Sequence, residues 1–195
     1  MTPRRAHVER KTLETAIVLD LDLDGSGRAE VTTGVGVYDH LLPALARHAR
    51  FDLVLTCQGD LEVDDHHTVE DCTWALGSAL DQALGERRGV GRFGSAYAPL
   101  DEALTRAVVD LSGRPFAAVS LGLTRERIGS LSSENVTHAL ATLATAGRMA
   151  LHVDVLKGEN DHHLAESAFK AVALALRQAV ARDGSVEIPS TKGVL

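Results

Sequence analysis

The segment Asp65-His66-His67-Thr68-Val69-Glu70-Asp71 returns near the other end of the chain as Asp161-His162-His163-Leu164-Ala165-Glu166-Ser167, and an offset of 96 maps one onto the other. Such a repeat within 195 residues constrains the fold strongly, because the unit that carries the first copy must be built a second time. The residues that follow test the doubling. Ala75 meets Ala171, Leu76 meets Val172, Ala79 meets Ala175 and Leu80 meets Leu176, while Gln82, Ala83 and Leu84 meet Gln178, Ala179 and Val180. Small residues stay small and branched ones stay branched. Two helices with matching faces of this kind can lie close together or cover matching sheets.

Periodicity fills in the rest of each half. Thr15 to Leu23 alternates as a strand, Asp24-Gly25-Ser26-Gly27 is a turn, and Arg28 to Thr33 is expected to pair back as a hairpin. Tyr38 to His48 has helical spacing, Phe51 to Thr56 is a strand, and a long helix is expected from about Thr68 to Leu84. In the second half, Leu104 to Leu111 and Pro115 to Leu121 read as strands around Ser112-Gly113-Arg114. Glu134 to Ala146 reads as a helix, Met149 to Val155 as a strand and Leu164 to Val180 as a helix. Each half is thus β-β-α-β-α. The expected fold is an α/β (α+β) two-layer sandwich in a single domain, 1–195, with duplicated halves at roughly 10–92 and 93–182 and a C-terminal tail, 183–195. The long helices bury one face of the strands. The other face needs cover, for which neighbouring subunits are a route.

Composition narrows the classes of function. Apolar residues make up 45% and aromatics only 4%, so Leu, Val and Ala must do the packing. A net charge of -7 gives no reason to expect nucleic acid, which calls for a basic field. Cys57 and Cys72 lack metal-binding spacing and suit a reducing compartment as plain apolar residues. No apolar run is long enough to span a bilayer and no signal segment is evident at Met1 to His7, so the expectation is a cytoplasmic protein with no membrane partner.

The two repeats are rich in metal ligands. Imidazole and carboxylate suit Mn²⁺, Zn²⁺ or Fe²⁺. If each long helix begins at the second histidine, His67 and Glu70 share one face, as do His163 and Glu166, while His66 and His162 point elsewhere. That divergence implies ligand exchange between halves. His40 and His138, separated by 98, join the symmetry. The expected sets are His40, His67, Glu70 and His162 for one ion, and His138, His163, Glu166 and His66 for the other. Asp65 and Asp161 either orient a ligand ring or end their helices. His48 and His152 are read as structural, and His7 as a surface residue. Sites of three histidines and one carboxylate keep positions open, which favours catalysis over a closed structural metal.

Arg92 and Arg114 stand at glycine-containing turns, and Ser190, Thr191 and Lys192 lie in the tail; together they could clamp a phosphate. Lys170 lies one turn beyond Glu166 and could reach the same cleft. On these residues alone a metal-dependent hydrolase fits as well as a lyase, and a non-enzymatic metal-binding shell is the third reading.

The chain resembles the imidazoleglycerol-phosphate dehydratase family in its monofunctional form. The resemblance is carried by Glu9 to Thr15, Tyr38-Asp39-His40, Phe51-Asp52-Leu53, Gly59 to Asp71, Arg92-Phe93-Gly94, Pro99 to Ala103, Ser112 to Pro115, Gly158 to Glu166, Phe169-Lys170-Ala171 and Ile188 to Gly193. Tyr38, Leu42 and Ala139 depart from it at packing positions. The resemblance implies a hydro-lyase of histidine biosynthesis that dehydrates D-erythro-imidazole glycerol phosphate to imidazole acetol phosphate through a metal-stabilised imidazolate. It implies two Mn²⁺ per active site and a homo-oligomeric 24-mer with sites between subunits. His40, His66, His67, Glu70, His138, His162, His163 and Glu166 take metal roles in it, and Glu14, Arg92, Arg114, Lys170, Ser190 and Lys192 surround substrate. Glu14 is assigned to acid/base catalysis, with Glu70 or Glu166 sharing the proton transfers.

Overall fold

The first sheet is organised by alternation. Val8 turns inward from Arg5–Lys11 (β1), and Ile17, Leu19 and Leu21 turn inward from Thr15–Asp22 (β2), leaving Val18 and Asp20 on the outer face. The computed structural model describes residues 3–195. Ala29–Thr32 (β3), Tyr38–Ala49 (α1), Asp52–Gly59 (β4) and His66–Leu84 (α2) complete the first half. The second half repeats the order with Phe93–Leu100 (β5), Ala103–Asp110 (β6), Phe116–Ser120 (β7), Ser133–Ala146 (α3), Ala150–Lys157 (β10) and Asp161–Ala179 (α4). A small ladder of Arg127–Ile128 (β8) and Leu131–Ser132 (β9) is inserted before α3.

The two sheets have equivalent orders, β1-β2-β4-β3 and β5-β6-β10-β7. Each half is a two-layer α/β sandwich, and the halves meet helix to helix in one continuous core. Each half has three strands of its main sheet before its first helix, not two. The edge strands β1 and β5 were hidden because Arg5–Lys11 is mostly charged and Phe93–Leu100 is rich in small residues.

The expected hairpin over Arg28 to Thr33 does not form. β3 runs parallel to β4, with Val31 opposite Leu55, and β4 lies between β2 and β3. Asp52 enforces this crossover. Its Oδ1 accepts the backbone N–H groups of Ser26, Gly27 and Arg28 at 2.8–3.0 Å, which fastens the turn to the start of β4. In the second half β7 likewise lies parallel to β10.

The long helices do not pair with each other. α2 covers β1 and β2, and α4 covers β5 and β6. Across the middle, α2 packs on α3 and α1 packs on α4, so each short helix serves the long helix of the other half. The approach is close. A Cβ at Gly77 of α2 would come within 2.7 Å of the Ala146 Cβ and 2.9 Å of the Gly147 nitrogen. Cys72 is fully buried and Cys57 half-buried; both are free thiols, and their hydrogen bond to each other, with burial, pushes the Cys72 thiol upward. The outer sheet faces carry exposed Val18, Val54, Phe93, Tyr97, Val108 and Phe116. No described helix is long and apolar enough to cross a membrane.

Candidate metal centres

Helix α2 begins at His66, whose backbone N–H is accepted by Asp64 Oδ1 at 2.8 Å. This start places His66 and Glu70 four apart, one above the other on the same face. The α2–α3 packing brings His138 to them. The candidate ligand atoms of His66, Glu70 and His138 all lie within 4.8 Å of one another. His138 Nε2 is 2.9 Å from Glu70 Oε1, and the rings of His66 and His138 stack at 4.9 Å.

The second half builds the counterpart from α4 and α1. His40, His162 and Glu166 form the other group within 4.8 Å. His40 Nε2 and His162 Nε2 lie 3.1 and 3.3 Å from Glu166 Oε2, and Lys170 Nζ is 2.6 Å from Glu166 Oε1. Burial alone would raise the Glu166 carboxyl, but the bonds from Lys170 and His40 outweigh it and hold it down at about 2. Lys170 is thus engaged in the metal group.

These groups differ from the expected partition. His66 does share a group with His138, and His162 with His40, but Glu70 and Glu166 stay with the histidines that open their own helices. The expectation placed the start of α2 one residue late and that of α4 two residues late, which exchanged an i,i+4 relationship for i,i+3.

His67 and His163 face other carboxylates. His67 Nδ1 is 3.0 Å from Asp60 Oδ2, and its Nε2 is 3.6 Å from Glu14 Oε1. His163 Nδ1 is 2.7 Å from Glu102 Oε2. Asp60 raises His67 and Glu102 raises His163, while His163 holds Glu102 down at about 2. With Nδ1 occupied, each ring keeps Nε2 for another partner, and the two side chains remain 30% and 28% exposed. Asp60 and Glu102 escaped the sequence reading. Glu14 and Glu102 close equivalent hairpins at an offset of 88 (102 − 14), so a search at the helix offset of 96 does not align them.

Asp65 and Asp161 both stand at the starts of their helices, Asp65 at the N-cap position, but their side chains neither bond the helix backbone nor touch the ligand rings. Asp65 accepts Ser132 N–H and Oγ–H and the Asn135 amide; Asp161 accepts the backbone N–H groups of Thr124 and Arg125. His7 bonds Asp20 on the surface, His48 is half-buried and His152 lies beside Phe116 on the outer face.

The basic residues gather elsewhere. Arg92 bonds Asp110 through Nε and Nη2 at 2.7 and 3.2 Å and donates to the Pro189 carbonyl at 2.7 Å. Gly113 lies against Leu195, which brings exposed Arg114 beside the same tail, and Ser190 Oγ accepts Lys192 N–H at 3.2 Å. This corner adjoins the far end of α4, because Arg92 N–H donates to Ala179 O. Glu166 lies 13 residues earlier on the helix (179 − 166), roughly 20 Å at 1.5 Å per residue. The basic corner and the His40 group therefore occupy opposite ends of α4.

Two imidazoles and a carboxylate at this spacing fit a divalent transition metal, and three protein donors leave coordination positions open. Neither cysteine belongs to either group.

Comparison with known proteins gives a consistent result. Residues 33–176 match the family model described as imidazoleglycerol-phosphate dehydratase. A protein of that name from Phytophthora nicotianae is 55% identical over 192 residues, spanning 98% of this chain but 42% of the relative. One from Candida glabrata is 55% identical over 208 residues, covering 97% of this chain and 99% of the relative. The crystal structure of the Pyrococcus furiosus protein in complex with (S)-C348 superposes with a TM-score of 0.83 at 34% identity, covering 96% of this chain and 100% of that one.

Proposed function

The chain belongs to the imidazoleglycerol-phosphate dehydratase family and is a hydro-lyase of histidine biosynthesis; from that premise we propose that its two histidine–glutamate groups hold the ions on which the dehydration depends. His66, Glu70 and His138 hold one, and His40, His162 and Glu166 the other. The observation that carries this reading is the building of the same donor set twice, by two different helix pairs. Imidazole and carboxylate donors suit Mn²⁺, Zn²⁺ or Fe²⁺ alike; we assign Mn²⁺, two per active site, on the family resemblance.

Each group has two histidines, and the two repeats supply two more. His67 and His163 keep Nε2 available on partly exposed rings, and we assign them to complete the coordination in neighbouring subunits. The separation along α4 favours the same division. A substrate the size of imidazole glycerol phosphate is too short for its ring to reach Glu166 while its phosphate reaches Arg92 of the same chain, so ring and phosphate are held by different subunits. A closed homo-oligomer, the 24-mer expected above, satisfies this and covers the apolar outer sheet faces.

When bound, the ions supply Lewis-acid stabilisation of the imidazolate form of the substrate ring. The residues of the chain do the rest. Arg92, Arg114, Ser190 and Lys192 hold the phosphate and fix the reacting carbons. Glu14, half-exposed and beside His67, takes the proton from the second carbon out from the ring, the one that becomes the keto carbon. The hydroxyl on the carbon next to the ring leaves as water with one proton, and the resulting enol tautomerises to the ketone. Glu166 is held as a carboxylate by Lys170 and His40 and serves as a ligand, with no protonation near neutral pH.

Incubating the Mn²⁺-loaded protein with imidazole glycerol phosphate tests this reading. It predicts the ketone, imidazole acetol phosphate, with no inorganic phosphate. Phosphate without ketone would indicate a hydrolase.

A further inference from the structure

His66 is held from behind by a side chain that the scheme above does not use. Its Nδ1 lies 3.0 Å from Oδ1 of Asn135, which is 2% exposed at the start of α3. The amide cannot be turned over. Asn135 Nδ2 lies 3.0 Å from Asp65 Oδ2, and this buried carboxylate already accepts Ser132 N–H at 2.7 Å and Ser132 Oγ–H at 2.6 Å. A carboxylate offers only acceptors, so Asn135 must give its NH₂ to Asp65 and its carbonyl to His66. A carbonyl can only accept, so the proton of neutral His66 resides on Nδ1 and the lone pair on Nε2.

We propose that Asn135 is a positioning residue: through Asp65 it selects the tautomer of His66 that leaves Nε2 open to a metal, and so sets the affinity of the His66–Glu70–His138 group. The inference rests on the metal reading of that group. It also breaks the symmetry of the molecule. The offset of 98 that maps His40 onto His138 maps Val37 onto Asn135 (135 − 98), and valine cannot accept an N–H. Among the described residues no amide is bonded to the rings of His40 or His162, so only one of the two ions depends on such a support.

The test is Mn²⁺ titration of chelator-stripped protein, following free Mn²⁺ by its paramagnetic resonance signal. Wild type takes up two ions per chain. Asn135→Leu keeps the side-chain volume but removes the acceptor, so the isotherm splits: one ion binds about 10- to 100-fold more weakly, the usual cost of losing a residue that supports a ligand, and the other is unchanged. Asn135→Asp retains an oxygen facing His66; paired with Asp65→Asn, which restores an N–H donor between the two side chains, it keeps both ions near wild-type affinity. The proposal is overturned if Asn135→Leu binds both ions as wild type does, if both weaken equally, or if the Asp65→Asn/Asn135→Asp pair is as impaired as Asn135→Leu. Wild type that binds no Mn²⁺ would remove the metal reading itself, and this inference with it.

Discussion

His40 and Glu166 are separated by 126 positions in sequence, yet His40 Nε2 lies 3.1 Å from Glu166 Oε2. The contact exists because α1, while resting on β3 and β4 of its own half, also packs on α4, and the same arrangement puts His138 of α3 beside Glu70 of α2. Doubling the chain thus gives two mixed groups, each with ligands from both halves. Glu166→Gln keeps the size of the side chain but removes its charge. We expect one of the two ions to be lost and turnover to fall by more than about 100-fold, beyond the effect of removing a supporting residue. Metal content by atomic emission, read alongside ketone formation, checks both.

Arg114 should matter to substrate without mattering to metal. Arg114→Ala removes charged hydrogen bonds worth about 1.5–3 kcal/mol each, so kcat/KM should drop roughly 10- to 150-fold while Mn²⁺ uptake stays at the wild-type value. Inorganic phosphate should also lose potency as a competitor. Unchanged kinetics would remove Arg114 from the phosphate clamp.

Asp52 gives a stability test far from the metals. Its carboxyl is held well below the usual carboxylate range, chiefly by the backbone N–H and guanidinium of Arg28. A depressed value means the stabilisation is present above the unfolded value of about 3.9 and is lost as pH falls through it toward the folded one. Asp52→Ala should therefore melt earlier at pH 7, by about 1–2 kcal/mol or roughly 2–8 °C, as the turn loses its acceptor. The gap to wild type should narrow between pH 5 and pH 2 in paired thermal scans.

Gly77 marks where the halves approach most tightly. Alanine there would gain about 0.5–1 kcal/mol in helix propensity, but its Cβ collides with Ala146 and Gly147, and overpacking costs about 1–3 kcal/mol. Gly77→Ala should lower the melting temperature on balance; a rise would mean that α2 and α3 stand farther apart.

The sequence carried the doubling and the ligand roster, because the DHH repeats and the matched helix faces are local patterns. It did not carry the partition of ligands. That depends on α2 starting at His66 and on helices crossing between halves, and neither leaves a periodic trace. β1 was hidden because Val8 is the one fully inward apolar residue among charges, and the parallel pairing of β3 depends on a turn caught by the distant Asp52. Asn135 and Glu102 were invisible for a related reason: each supports a histidine far off in sequence, and each lies outside the offset of 96 that exposed the repeat.

The division of the active site between chains is the central claim, and subunit mixing tests it most directly. Glu166→Gln chains are impaired in metal and Arg114→Ala chains in phosphate binding. Dissociated, combined in equal amounts and reassembled, they should form some sites with an intact metal group from one chain and an intact basic corner from the other. Random pairing makes that fraction roughly a quarter, so the mixture should recover up to about a quarter of wild-type ketone formation. A mixture no more active than its parents would contradict the account and place ring and phosphate on one subunit.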